Sequence, residues 1–389
     1  MLDTARRLIA PSLRSDVPPF MVMDVMAAAA RIEAAGGHVI HMEVGQPAAP
    51  APATAIAAAR SALSGRLAYT DALGIPSLRA RIARHYGDTY GVAVDPARIA
   101  VTTGSSAGFI LAFLALFEAG DRVAVAVPGY PPYRHILSAL GCRPVAIETT
   151  QATRWAITPD MLIAEHRKAP LKGVLIASPA NPTGTMMTGE ALRDLVDAAE
   201  GEGIKFISDE IYHGLDYAFP AETAAKLSDS AVIINSFSKY FCMTGWRIGW
   251  MAVPEPLIRT IDRLQGNLAI SVPALSQIAA EAAFDGRAEM EAVKYGYEEN
   301  RRILLDGLPS AGFSNILPVD GAFYIYADVS PFCDDSFEFA TRMLEETHVA
   351  ATPGVDFDPL KGKHFIRFCY AGSAAEMREA VERIGKWLK

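Results

Sequence analysis

The stretch Asn235–Trp250, NSFSKYFCMTGWRIGW, follows the apolar run AVII and decides how the chain is read. Two serines come first, then Lys239 beside Ser238, then aromatic residues, then Arg247 eight positions beyond the lysine. A lysine placed where a buried strand has just ended, with hydroxyls before it and a guanidinium after it, suggests a site for a phosphorylated ligand. The lysine is then free to react with another part of the same molecule.

Similar runs recur on both sides of this stretch. RIAVTT (98–103), DRVAVAV (121–127), RPVAIE (143–148), GVLIAS (173–178), IKFIS (204–208), AVIIN (231–235) and IGWMAV (248–253) read as strands. They are continuously apolar, so each is expected to be buried on both faces. Helical patterns separate them, among them Gly108–Ala119, Tyr133–Leu140 and Glu190–Glu200, the last with Thr188 as its cap. Strand and helix in alternation imply an α/β fold with a mostly parallel central sheet. After about Asp285 the pattern changes. A charged helix over 288–308 leads to GAFYIYADV, a helix over 337–346, the strand HFIRFCYA and a helix opened by the capping box Ser373/Glu376. The expected organisation is a large domain over 46–285 and a smaller α+β domain over 286–389. The segment 1–45 is expected to pack on the small domain or on a partner subunit.

Composition narrows the function. The chain has 389 residues, 51% of them hydrophobic, enough for a large core. The net charge of −8 argues against nucleic acid as the main partner. No apolar run approaches the roughly 20 residues of a membrane span, and the N-terminus lacks the pattern of a secretory signal. Four scattered cysteines read as reduced thiols in a cytoplasmic protein. HEXXH and paired CxxC are missing, so no metal is expected, and neither GxxxxGK[ST] nor GxGxxG after a strand occurs.

In a parallel sheet, ligands sit beyond the carboxyl ends of the strands. Those ends carry Ser105 and Ser106, Tyr130, Asn181, Asp209 with Tyr212, and then Ser236, Ser238, Lys239 and Arg247. Each has an ordinary structural explanation, as a turn, a helix cap or a solvated charge. Their coincidence on the strand ends of one sheet favours a site. Hydroxyls, a helix N-terminus and an arginine suit a phosphate. An aspartate suits a protonated ring nitrogen, a tyrosine stacks on a flat ring, and a lysine condenses with an aldehyde. Together these describe pyridoxal 5′-phosphate.

The chain resembles the fold-type I enzymes that use this cofactor, specifically the class I/II aminotransferases of the aspartate aminotransferase kind. SFSKYFCMTGWRIGW is similar to the family's pattern SxSKxxxxxGxRxG, and SPANPTG (178–184), SDEIY (208–212), YTDALGIPSLR (69–79) and FIRFCYA (365–371) follow its order. The resemblance runs from Val44-Gly45-Gln46-Pro47 to Arg367. It implies that Lys239 binds the cofactor covalently and then serves as general base. Asp209 would pair with the ring nitrogen, Asn181 and Tyr212 with the phenolic oxygen, and Tyr130 with the ring face. Ser105, Ser106, Ser236, Ser238 and Arg247 would hold the phosphate. Tyr69 would reach the neighbouring subunit's phosphate in a homodimer. Arg367 and the Gly45 backbone would hold the substrate carboxylate, with Asn181 and Tyr130 also lining the substrate site.

The implied activity is amino transfer between an L-amino acid and a 2-oxo acid. A β-eliminating C–S lyase on the same fold is the alternative. A non-catalytic regulator ranks last, because only about 40 residues precede GQP and they are not basic. Ala48 stands where many relatives have aspartate, and no lysine lies near Ser106. No second arginine can be placed for a side-chain carboxylate, so a neutral or aromatic substrate is at least as well supported as aspartate. His38, His41 and His213 read as structural or surface residues. Met21, Met23 and Met26 read as packing, with lining of the substrate entrance as the other reading.

Overall fold

The computed structural model describes residues 10–389, so the start of the segment 1–45 lies outside the described residues. Its strands are β1 (Ile40–His41), β2 (Ile99–Thr102), β3 (Arg122–Val127), β4 (Arg143–Glu148), β5 (Gly173–Ala177), β6 (Lys205–Asp209), β7 (Val232–Ser236), β8 (Gly249–Ala252), β9 (Tyr324–Asp328), β10 (Val349–Ala350), β11 (Thr352–Pro353) and β12 (Phe365–Cys369). Seven of them form one sheet in the order β2-β8-β7-β6-β5-β3-β4. Successive side chains point to opposite faces of a strand, and here both faces are covered. Val174 and Ile176 of β5, Ile233 of β7 and Trp250 of β8 enter one core. Leu175, Val232, Ile234 and Met251 enter the other. Continuous apolar runs are what such a sheet requires.

One strand departs from the reading of a uniformly buried set, and another runs against the direction of its neighbours. β4 is the edge strand, with Arg143 and Ala146 exposed, because nothing pairs with its outer side. β8 runs antiparallel to both neighbours, β2 and β7. All its residues are buried, and burial on both faces is blind to direction.

The helices start close to their sequence signals. Thr188 caps Gly189–Gly201, its hydroxyl accepting from Ala191 N–H at 3.2 Å. Ser373 and Glu376 form the expected capping box of Ala374–Trp387. One start differs: the helix expected from Gly108 begins at Gly104, so GSSA is its first turn rather than a loop. Gly104 tolerates the φ of +72° at that entry, and a Cβ there would lie 2.5 Å from Arg247 Nη2.

The C-terminal residues build their own core, with Leu304, Leu308, Tyr324, Ile325, Met343, Ile366, Phe368 and Ile384. A three-stranded antiparallel sheet, β11-β12-β9, lies within it. The N-terminal segment joins this part of the chain. β1 pairs in parallel with β10, and the helix Met21–Ala34 packs through Ala29 on Leu344 and Ala350. Asp356 accepts the Met21 N–H at 3.3 Å and so tethers the start of that helix.

Candidate active site

The carboxyl ends of β5, β6 and β7, the start of β8, the helix Gly104–Leu116 and β12 converge on a cavity of about 480 Å³. Gly45, Ser105, Ser106, Tyr130, Asn181, Asp209, Tyr212, Ser238, Lys239, Arg247 and Arg367 line it. Residues separated by more than 300 positions thus face one space. The reversal of β8 brings Arg247, just before its first residue, beside the end of β7.

Two candidates lie elsewhere. Ser236 is buried with its hydroxyl engaged by Ser238 Oγ at 2.8 Å and Ile248 O at 3.1 Å, so it stands behind Ser238. Tyr69 is 80% exposed and does not line this chain's cavity.

Lys239 and Asp209 are both buried in ways that alter their protonation. Lys239 Nζ donates to Gly45 O at 2.5 Å. Burial pushes its amine down to about 8, and the Arg367 and Arg247 charges act in the same direction, against Cys369 and Asp209. Asp209 is pushed up to about 6 by burial, opposed by hydrogen bonds from the Tyr133 hydroxyl and the Ile211 N–H and by the Lys239 charge. Tyr130, also buried, is pushed up to about 12 and keeps its phenolic proton. Tyr212 is raised for the same reason, and its hydroxyl meets that of Tyr324 at 2.7 Å.

Arg367 is 3% exposed and has no carboxylate within 4 Å among the described residues. Neutral oxygens hold it instead: Asn181 Oδ1 at 3.0 Å, Thr352 Oγ1 at 3.2 Å and the Glu43 carbonyl. The rings of Tyr324 and Phe357 lie 4.5 and 4.6 Å from its Cζ. Its Nε is buried and donates to nothing. An internal ion pair, the ordinary explanation for an arginine in a strand, is therefore not what holds it.

Several lining residues escaped the sequence reading. Tyr133 bonds Asp209 but looks like an ordinary core residue of a helix. Tyr324 lies in a strand of the C-terminal part, and a Cβ on Gly45 would be 1.9 Å from its hydroxyl, so position 45 must be glycine. Phe20, Val22, Met23, Val44, Phe109 and Ile211 give the cavity an apolar side. Of the three N-terminal methionines, Met23 lines this cavity, whereas Met21 and Met26 do not. His213 is buried with Tyr90 Oη at 2.8 Å and Ser178 O at 3.0 Å, and His41 lies between Glu33 and Glu43. Among the described residues, no three His, Cys, Asp or Glu side chains cluster as metal ligands, and no helix is long and apolar enough to cross a membrane.

Comparison with known proteins identifies the family. Residues 37–384 match the family model for aminotransferase class I and II. A valine–pyruvate aminotransferase of Mycobacterium tuberculosis is 49% identical, over 97% of this chain and 98% of the relative. The crystal structure of an aminotransferase from the same organism superposes with a TM-score of 0.95 over 97% of this chain and 98% of that one, at 49% identity. The aspartate aminotransferase of Thermus thermophilus with maleate gives a TM-score of 0.91 at 30% identity, covering 97% and 99% of the two chains. The chain belongs to the class I and II aminotransferases, and it is an enzyme that moves an amino group between an amino acid and a 2-oxo acid.

Proposed function

We propose that the cavity holds pyridoxal 5′-phosphate and that the amino donor is an amino acid with a neutral, apolar side chain. The residues fit the cofactor. The helix Gly104–Leu116 starts without a side-chain cap, leaving its first N–H groups for an anion beside Ser105, Ser106, Ser238 and the Arg247 guanidinium. In this reading Ser236 steadies Ser238. Asp209 would accept a hydrogen bond from the protonated ring nitrogen and keep it protonated, Asn181 and Tyr212 would hold the phenolic oxygen, and Tyr130 would cover the ring. When bound, the cofactor supplies an aldehyde that takes up the amino group and a ring that accepts electrons.

The protein's residues then have distinct tasks. Arg367 grips the substrate carboxylate through two parallel N–H groups, with Asn181 holding the guanidinium in place and the Gly45 backbone alongside. Lys239 removes the proton at the substrate's Cα; its depressed basicity leaves a useful fraction unprotonated near neutral pH. The apolar side of the cavity excludes water from that step and receives the substrate side chain.

The observation that carries the reading is the buried, uncompensated Arg367 sharing one cavity with Lys239. Substrate choice follows from the lining: its only other lysine or arginine residues are Lys239 and Arg247, both engaged by the cofactor, so a second carboxylate finds no partner. The name of the 49%-identical relative supports a donor of the valine kind. The test is a half-reaction screen of the purified enzyme with each common amino acid, following the cofactor's absorbance. Aliphatic and aromatic donors should convert it faster than aspartate or glutamate. Aspartate as the fastest donor overturns the proposed preference.

The active site is further proposed to be shared across a homodimer. Tyr69 is exposed, and Ile110, Leu114, Leu268 and Ile270 are exposed apolar residues that a second copy would cover. Mixed heterodimers of Tyr69→Ala and Lys239→Ala chains should recover activity that neither parent homodimer shows, with one intact site per dimer. Heterodimers that form but stay inactive exclude a shared site. The reading also includes a large domain over 46–285 and a small one over 286–389, with the N-terminal segment on the latter. Four free thiols accord with a cytoplasmic location.

A further inference from the structure

Tyr324, the first residue of β9, lines the catalytic cavity from the C-terminal part of the chain and is 1% exposed. Its hydroxyl meets that of Tyr212 at 2.7 Å, and this is the hydroxyl's only hydrogen bond among the described residues. The two rings meet nearly edge-on, with centroids 5.6 Å apart and planes at 79°. Phe323 packs edge-on against the Tyr212 ring as well, at 5.5 Å. The Tyr324 hydroxyl also lies against the Gly45 α-carbon, where only glycine leaves it room. Packing therefore fixes where both hydroxyls sit.

Their protons can be counted. Each tyrosine carries one O–H, and the bond between them uses one of the two protons. By itself the pair leaves either oxygen free to be the donor. That freedom ends once Tyr212 gives its proton to the cofactor's phenolic oxygen, the role proposed for it above. Tyr212 then has no second proton, so Tyr324 has to donate to Tyr212. Burial raises the Tyr324 hydroxyl above its ordinary range, against the pull of the Arg367 charge, so it keeps the proton it gives. The other titratable groups facing the pair are Cys369 of β12, itself raised by burial, and Tyr130.

A hydroxyl that accepts one hydrogen bond donates a stronger one, by about 10–30% in a buried chain of such bonds. A stronger donor makes the phenolic oxygen less basic, and the bound cofactor then gives up its titrating proton at lower pH.

We propose that Tyr324 is a positioning residue for amino transfer: its hydroxyl donates to Tyr212, fixes the direction of the Tyr212 O–H and strengthens its hold on the cofactor's phenolic oxygen. This rests on the cofactor and on the Tyr212 role proposed above.

The test is a pH titration of the bound cofactor's absorbance in the native holoenzyme, Tyr212→Phe, Tyr324→Phe and the double variant. Tyr212→Phe should raise the midpoint by about 1–2 pH units, the value of a hydrogen bond to a charged group. Tyr324→Phe should raise it by about 0.3–1 unit. Phenylalanine keeps the ring that lies 4.5 Å from Arg367 Cζ, so the contact with that guanidinium is retained. The double variant should titrate like Tyr212→Phe alone, because Tyr324 acts through Tyr212, whereas a residue that merely packs would add its shift in either background. Tyr324→Met, which also lacks the donor, replaces Tyr324→Phe in both backgrounds should the latter lose its cofactor absorbance. A midpoint raised in Tyr212→Phe but unmoved by loss of the Tyr324 hydroxyl overturns the role of Tyr324 alone, and so do additive shifts. An unmoved midpoint in Tyr212→Phe overturns the role of Tyr212 and this proposal with it.

Discussion

Lys239→Ala lowers kcat for amino transfer by about 10²–10⁴-fold or more, the usual contribution of a positioned general base alone. The expectation rests on position. Lys239 follows the end of β7 by three residues, lines the same cavity as Asp209 and Arg367, and is the lysine among the residues lining it. Its amine is depressed by burial, which suits both covalent capture of an aldehyde and later service as a base. The direct measurement is reductive trapping: borohydride should fix the cofactor to the peptide containing Lys239, and the alanine variant should yield no such peptide. Trapping at a different lysine, or a variant that retains full turnover, would show that the cavity is not the catalytic centre.

Arg367→Lys should cost about 2–5 kcal/mol in kcat/KM toward amino acids, or roughly thirty- to several-thousand-fold. Lysine keeps the charge and loses the fork. The guanidinium is held beside two aromatic rings by three neutral oxygens, and a single ammonium, ending about where the guanidinium carbon lies, cannot reach the same partners. The cofactor should remain bound, because the role proposed for Arg367 is toward the substrate carboxylate and not the phosphate. Amines without a carboxylate should be poor substrates of the native enzyme and should lose little in the variant. Unchanged kcat/KM with the best amino acid, or release of the cofactor, would make Arg367 a structural residue.

The parts legible in the sequence are those where local chemistry and tertiary role coincide. Val232–Ile234 must be a strand buried on both faces because three consecutive apolar residues fit no exposed strand, and the polar residues after it then have to lie at the sheet's edge. The same logic found Asp209, Asn181 and the serine pair at 105–106. What stayed hidden depends on long-range partners. Tyr133 differs from any helix-core tyrosine only because Asp209, 76 residues away, meets its hydroxyl. Glu43 contributes a backbone carbonyl, which carries no side-chain signature at all. Tyr324 and the apolar side of the cavity come from segments that read as packing. The exposed face of β4 was hidden because RPVAIE matches its buried neighbours in composition, and only strand order reveals an edge.

The reversed strand β8 has a geometric consequence. Because β7 and β8 are antiparallel neighbours, the residues joining Ser236 to Gly249 form a closed loop whose two ends are hydrogen-bonded across the sheet. Lys239 lies near one end of that loop and Arg247 near the other, so their spacing is set by covalent chain length and a fixed base, not by the docking of separate segments. Under the proposed roles the loop would act as a caliper, measuring off the distance between a reactive carbon and an anionic anchor on a single small molecule, so that a ligand of a different length would not engage both tips.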